Sequence, residues 1–238
     1  MSAFLYGAAL QWKLDIRSKA LLITCYVVPL LFFAVMGGIF TSINPEARHT
    51  LIQSMTVLGV STGALIGLPP SLVEIYGSDI KKVYKANGVP LYLGLVSMFL
   101  SAFIHLLLMC GIIYIVAPIA FDAAPPASLP LYFGSLAIFI AVSLSIGCVL
   151  GLSVKNQAKL TMISQVIFLP SIMLSGIMFS TDLLPEAFKI AGKIFPAAWG
   201  YKLLLDDGFY FGGLLPLAAI FAAAAIICGI LLKKMQSE

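Results

Sequence analysis

Few residues of this sequence could do chemistry inside an apolar environment, and His105 is the foremost of them. It lies near the middle of a long apolar segment, which makes it a candidate polar residue of a transport path. A neutral histidine that bonds to a neighbouring helix is the alternative. An enzyme working inside the membrane would need a nucleophile and a base, or metal ligands, that face each other. The chain has two histidines, and its apolar blocks contain no carboxylate, so the sequence argues against an enzyme and against a metal site.

The composition places these residues in membrane helices. Hydrophobic residues make up 61% of the chain, charged residues 10%, and the mean hydropathy is +1.06. Soluble domains are about 45–50% apolar and about 25% charged. The apolar residues also come in blocks long enough for helices. The sequence therefore predicts an all-α integral membrane protein, a single domain over 1–238 with six transmembrane helices at about 20–40, 51–68, 91–116, 131–152, 160–179 and 213–232.

The basic residues predict the orientation of this chain. If both termini are cytoplasmic, ten basic residues lie inside and four outside, which follows the positive-inside rule. The inside set is Lys13, Arg17, Lys19, Lys81, Lys82, Lys85, Lys155, Lys159, Lys233 and Lys234, and the outside set is Arg48, Lys189, Lys193 and Lys202.

The most polar stretch follows the second predicted span, after a break expected at Pro69-Pro70. It reads EIYGSDIKKVYKAN over 74–87, and Ser78 or Asp79 can cap a short helix there. On that helix Ile80, Val83 and Tyr84 share one face, and the lysines Lys81, Lys82 and Lys85 occupy another. A solvated loop that binds lipid headgroups is one interpretation. The other is a helix that presents an apolar face to the groove of a partner.

A second short helix is predicted between spans five and six. Thr181 or Asp182 can cap it, Pro185 suits its first turn, and Pro196 ends it. Its charged residues form one stripe and its apolar residues cover much of the rest: the stripe is Glu186, Lys189 and Lys193, and the apolar set is Leu184, Ala187, Phe188, Ala191 and Phe195. Because the helix is too short to cross about 30 Å of hydrocarbon, we expect a re-entrant or interfacial element.

These last two stretches resemble those of ABC-2-type exporter permeases, the membrane-spanning subunits of ABC exporters. The matching features near the end of the fifth span are Leu-Ser-Gly at 174–176, Phe179, Leu-Leu-Pro at 183–185, and Phe-Pro at 195–196 before Trp199. In that family the loop after the second span holds a coupling helix, usually with Glu, Gly and a basic pair before a Pro. Glu74, Gly77, Lys81-Lys82 and Pro90 match this pattern, but the Arg common beside the Glu is absent.

The resemblance implies roles for these residues. Glu74, Asp79, Ile80, Lys81, Lys82, Val83 and Tyr84 would couple the chain to an ATPase, and Pro185, Phe188, Lys189, Lys193, Phe195 and Pro196 would form a re-entrant exit gate. It also implies two copies of an ABC ATP-binding subunit, a second permease subunit, membrane lipid and no nucleic acid as partners, in the plasma membrane. This chain would bind no cofactor itself, because ATP and Mg²⁺ would belong to the ATPase.

Small residues predict close helix packing. Gly59, Gly63 and Gly67 recur at four-residue spacing in the second span, where they let another backbone approach, or line a substrate groove.

Three functions compete. A permease powered by a separate ATPase fits, because the sequence has no GxxxxGK[ST] phosphate loop of its own. An ion-coupled carrier usually places acidic or basic residues at the midplane, where this chain offers only His105. An intramembrane enzyme fits least. Together with the resemblance, which implies export, this favours a permease that exports an amphiphile, such as a drug, lipid or hydrophobic peptide, with an ion-coupled carrier as the alternative.

Overall fold

The computed structural model describes residues 3–77, 84, 86, 90–178, 181–205 and 211–237, and these residues form helices without any strand. Five helices are long and apolar enough to cross a membrane: α2 (Ile23–Ile43), α3 (Leu51–Tyr76), α4 (Leu91–Phe121), α5 (Leu129–Ser153) and α9 (Gly212–Gln236). The others are α1 (Ala3–Arg17), α6 (Gln157–Met173), α7 (Glu186–Gly192) and α8 (Pro196–Leu205), and a short helix, Lys19–Leu22, joins α1 to α2. The prediction of an all-α membrane protein is confirmed.

The fifth predicted span is shorter than expected. Helix α6 has 17 residues, a length of about 26 Å, which falls short of about 30 Å of hydrocarbon. It ends at Met173, where the Ser175 hydroxyl donates a hydrogen bond to the Ile172 carbonyl and Gly176 adopts a φ of +88°. A residue with a Cβ rarely adopts that φ, so glycine suits the backbone of this turn. The crossing predicted at about 160–179, and with it the total of six crossings, therefore stays a prediction.

The break predicted at Pro69-Pro70 is wrong. Helix α3 continues through both prolines to Tyr76, because a π-helical turn at Gly63–Gly67 precedes them. The Leu68 N–H donates to the Gly63 carbonyl, five residues back, and the prolines occupy the first turn of the helix that restarts after it. A proline in a first turn lacks an N–H that would have no helical partner anyway. A similar π-helical turn, Ile23–Val27, precedes Pro29 in α2.

Helices α3 and α5 form the centre of the bundle. Almost every residue of α3 is buried, and α5 packs against α3, α4, α8 and α9. The closest approach is at Gly147 of α5, where an added Cβ would lie 2.1 Å from the Ala64 carbonyl oxygen of α3. Backbone atoms cannot move aside as the end of a flexible side chain can, so this contact requires glycine.

We expect Gly147→Ala to destabilise the bundle by about 1–3 kcal/mol, the usual cost of overpacking. The matched control is Gly134→Ala in the same helix, where an added Cβ would meet no atom within 4 Å. Both changes replace glycine by alanine in a helix and gain the same helix propensity. The difference between the stabilities of the two variants therefore isolates the cost of the clash. Thermal unfolding in detergent measures it, and equal melting temperatures for the two variants would contradict the packing described here.

Candidate functional site

A cavity of about 670 Å³, called the vestibule below, lies where α2 connects to α3. Its lining is both apolar and polar: Ile39, Phe40, Ile43, Asn44, Glu46, Ala47, Thr50, Leu51, Ser54, Ser175, Gly176, Ile177, Met178, Thr181, Tyr201, Lys202 and Leu205. The volume is within the range of sites for drug-sized molecules. Apolar walls with a few polar groups suit an amphiphilic molecule.

Helix α8 supplies the polar side of the vestibule. The Ser54 hydroxyl of α3 donates a hydrogen bond to the Tyr201 hydroxyl at 3.2 Å. The Lys202 ammonium lies 5.7 Å from the centroid of the Trp199 ring, within the range of a cation–π contact. The Trp199 indole N–H donates to the Lys193 carbonyl at 2.7 Å, which ties α8 to the end of the preceding helical segment. These contacts hold the Lys202 ammonium beside the vestibule.

A second cavity of about 230 Å³ shares Ser175, Thr181 and Lys202 with the vestibule, and α7 closes its other side. The charged stripe of α7 lines it through Glu186, Lys189 and Lys193, and Lys189 pairs with Glu186 at 3.2 Å. Phe188 is not in the lining and is about half exposed. The charged face of α7, rather than its apolar face, therefore borders the cavity.

Two details of this segment differ from the sequence predictions. Thr181 begins a short 3₁₀ turn, Thr181–Leu183, and the N-cap position of α7 is Pro185 rather than 181 or 182. Helix α7 ends before Pro196, which is buried and begins α8. Phe195 is partly buried between them.

The predicted coupling residues lie only partly within the described chain. Glu74 is exposed near the end of α3, whereas Asp79, Ile80, Lys81, Lys82 and Val83 lie outside the described residues. Tyr84 is helical and partly buried, and an added Cβ at Gly94 of α4 would lie 3.2 Å from its ring. The Tyr84 side chain therefore packs on the bundle.

The three glycines of α3 lie against neighbouring helices. An added Cβ at Gly59 would lie 2.6 Å from Met109, and one at Gly63 would lie 2.3 Å from Leu106, both in α4. At Gly67 the nearest atoms, at 3.2 Å, belong to Cys25 and Thr24, at the start of α2. All three glycines therefore occupy helix contacts and none lines the vestibule.

His105 lies in a buried polar cluster that joins α1, α2 and α4. Its Nδ1 atom is 2.8 Å from the Tyr26 hydroxyl of α2, and the Trp12 ring of α1 stacks on it at 4.2 Å. Its Nε2 atom is buried and has no hydrogen-bond partner among the described residues. One turn earlier on α4, the Ser101 hydroxyl donates to the Asp15 carboxylate at 2.5 Å, and the Gln11 amide donates to the same carboxylate at 2.8 Å.

Asp15 is the functional candidate that the sequence reasoning missed. It is 6% exposed, although it belongs to the charged stretch before the first span. Burial raises the pKa of its carboxyl, and hydrogen bonds from Ser101 and Gln11, with the charge of His105, act in the opposite direction. Helix α1 turns this polar side inward and leaves Leu10, Leu14 and Ile16 exposed together with Lys13 and Arg17. The four-residue spacing of Gln11 and Asp15, beside Trp12, was the available signal.

Comparison with known families agrees with this geometry. A family model described as ABC-2 type transporter matches residues 3–209. The chain belongs to the ABC-2 type transporter family. The match extends from α1 through α8. It therefore includes the vestibule, the short helices α7 and α8, and the cluster at His105. Comparisons with curated proteins and with solved structures found no match.

The family confirms the resemblance seen in the sequence. This ABC-2 protein is a multi-pass membrane protein and a transport subunit, and its family in general works with an ABC ATP-binding subunit.

Proposed function

We propose that this chain is the permease subunit of an ABC exporter that moves an amphiphilic molecule out of the cytoplasm, driven by a separate ATPase. The observation that carries the proposal is the vestibule. Its apolar wall, with Ile39 and Ile43, faces a polar side with Tyr201 and Lys202. An amphiphile could place its tail against the first and its headgroup against the second.

A second permease subunit would complete the transport unit. Helices α2 and α6 each leave an apolar face uncovered, with exposed residues at helical spacing: Ile23, Val27, Leu31, Val35 and Ile39 on α2, and Met162, Val166, Leu169 and Met173 on α6. Lipid covers such faces in a lone chain. We place the second copy here because Ile39 also lines the vestibule, so a copy against α2 would border the cavity.

The ATPase would act through the segment between α3 and α4. Tyr84 packs on Gly94, at the start of α4, and the Tyr76 hydroxyl donates to the Leu91 carbonyl at 2.6 Å. A push on the 78–84 segment would therefore reach α3 and α4 together. Because α3 also borders the vestibule through Leu51 and Ser54, a movement of α3 would carry the action of the ATPase to the cavity.

Six crossings with both termini in the cytoplasm complete the proposal. The Arg48 guanidinium lies 3.7 Å from the Asp122 carboxylate, and the Ala124 N–H donates to the Arg48 carbonyl, so the α2–α3 and α4–α5 connections lie together. At the other end, the Gln157 amide donates to the Pro70 carbonyl. This arrangement supports an alternation of the spans between two sides, and the distribution of basic residues then assigns the cytoplasmic side.

Single-cysteine labelling tests the orientation and the vestibule together. Cysteines at Ala47, Asp122 and Lys189 should react with an impermeant thiol reagent applied to intact cells, and one at Lys82 should not. The native cysteines, Cys25, Cys110, Cys148 and Cys228, are all buried, so the background should be low. Labelling of the Lys82 variant in intact cells would overturn the orientation.

The same variants locate the substrate. A transported amphiphile should protect Ala47→Cys, in the vestibule lining, and should not protect Asp122→Cys, whose side chain is 81% exposed beside Arg48. A panel of anionic, neutral and cationic amphiphiles would then rank the headgroups. If no member that is transported protects Ala47→Cys, the vestibule is not on the path.

An ion-coupled carrier remains the second candidate, and one observation favours it. Such carriers use ionisable residues within the membrane. His105 lies in the spanning helix α4, and Asp15 of α1 is buried in the same cluster. The two functions differ in their energy source, which can be measured directly.

A further inference from the structure

The cluster around His105 contains two buried titratable groups that lie outside the vestibule. Asp15 is 6% exposed and His105 2% exposed, and neither lines the vestibule. An isolated charge in such surroundings is costly, so a buried charge needs a partner of opposite sign or a proton. The Asp15 carboxylate has hydrogen-bond donors in Ser101 and Gln11, but no Lys or Arg pairs with it among the described residues.

Among the described titratable groups around Asp15, His105 is the one whose charge acts on the Asp15 carboxyl. The other titratable side chains at this level are Cys25 and Tyr26 of α2, and both are neutral near pH 7. The basic residues nearest in sequence, Lys13, Arg17 and Lys19, are exposed. Helices α3 and α5, which also pack on α4, carry one charged residue between them, Glu74, at the exposed end of α3.

We propose that Asp15 and His105 together bind a single proton, and that this proton holds α1 against α2 and α4. With one proton the pair is neutral overall, either as carboxylate and imidazolium or as carboxylic acid and imidazole. Loss of that proton leaves a net negative charge in the buried cluster, and a second proton leaves a net positive one. Groups coupled in this way titrate as a pair rather than singly.

The contacts explain why the proton would control α1. The N-terminal helix meets α4 through the side that carries Gly7, Gln11, Trp12 and Asp15, and the Trp12 ring stacks on the imidazole itself. Its opposite side is exposed and carries Leu10 and Leu14 together with the basic residues Lys13 and Arg17. A net charge on the pair weakens this contact, and α1 leads through Ser18 and the short helix Lys19–Leu22 into α2, which borders the vestibule. Docking of α1 is therefore strongest in the pH range where the pair holds one proton. Because burial raises the pKa of Asp15, docking weakens as the pH rises and the pair loses that proton.

Trp12 reports the state of the imidazole, because a protonated imidazole quenches a stacked indole. The chain has two tryptophans, so the difference between the emission of the native protein and of Trp12→Phe isolates Trp12. Its emission should fall as the pH falls. In Asp15→Asn, which keeps an oxygen to accept from Ser101, the midpoint should move at least about one unit lower, because the carboxylate no longer favours the imidazolium. His105→Gln should abolish the change.

A reciprocal measurement needs no change at Asp15. A hydrophobic carbodiimide modifies protonated carboxyl groups in apolar surroundings, and mass spectrometry locates the adduct. Modification of Asp15 should fade as the pH rises, and in His105→Gln it should persist to higher pH by about one unit, because the imidazolium no longer favours the carboxylate. If neither midpoint moves when the other residue is changed, or if Trp12 does not titrate, the shared proton is refuted.

The yield of a disulfide between Gly7→Cys and Ser97→Cys measures how often α1 is docked on α4. An added Cβ at Gly7 lies 3.7 Å from the Ser97 hydroxyl oxygen, close enough for a cross-link. With a fixed oxidant, the yield should fall above the Asp15 midpoint, although thiol reactivity alone would raise it with pH. In the Asp15→Asn background this fall should disappear. A yield that rises smoothly with pH in both backgrounds would show that the proton does not hold α1.

Discussion

Replacing Ala47 by tryptophan should reduce transport at least about tenfold without lowering the amount of folded protein in the membrane. Ala47 lies in the 3₁₀ turn Pro45–His49 and lines the vestibule, so an indole there would occupy the cavity. A tenfold loss equals about 1.4 kcal/mol, a modest cost for displacing a bound molecule. Efflux of a fluorescent amphiphile from cells measures the effect.

The control for this variant is Ala223→Trp. Ala223 is exposed on α9 and lines no cavity described above, so the same large side chain should leave transport unchanged. Equal transport by the Ala47→Trp variant and the native chain would show that substrate does not pass through the vestibule.

Val83→Asp should leave the chain inserted and folded while the partner's ATP hydrolysis loses its response to substrate. The expectation rests on the apolar face predicted for Ile80 and Val83, where a carboxylate would be desolvated at the interface. Truncating an interface anchor often costs about 2 kcal/mol or more, which weakens docking roughly thirtyfold. Transport and substrate-stimulated ATPase activity should therefore fall together.

Tyr84→Ala tests something different from Val83→Asp. Because the Tyr84 ring packs on Gly94, its loss should loosen the attachment of the coupling segment to α4 as well as any contact with the partner. The lysine changes Lys81→Gln and Lys82→Gln should have smaller effects, since exposed charge pairs contribute little. If the ATPase co-purifies with Val83→Asp and transport persists, this segment does not couple the two subunits.

The sequence predicted the helical class well because hydropathy alone decides it. The apolar blocks beginning at Leu51 and Leu91 start helices at those residues. Local rules failed where a backbone feature several residues away decided the outcome. The pair Pro69-Pro70 predicts a helix break, yet α3 continues. The π-helical turn before the prolines places them in a first helical turn, where a backbone N–H is not needed.

The candidate site was harder to predict, because its residues come from distant parts of the chain. Glu186, Lys189 and Lys193 were identified as one stripe, but that they face a cavity depends on how α7 packs near Leu174, which no local pattern encodes. Asp15 was missed for a related reason. Charged residues before a first span normally face water, and only the positions of Ser101 and His105 on α4 show that this one is buried.

Reconstitution into liposomes tests most directly whether this chain is an ATP-driven permease. The chain would be incorporated alone, and together with the ATP-binding subunit that co-purifies with it, and movement of a fluorescent amphiphile would be followed. We predict transport only with both subunits and hydrolysable ATP, unchanged when proton and sodium gradients are collapsed. Transport by the chain alone, driven by an ion gradient and lost in Asp15→Asn, would contradict the account and identify an ion-coupled carrier.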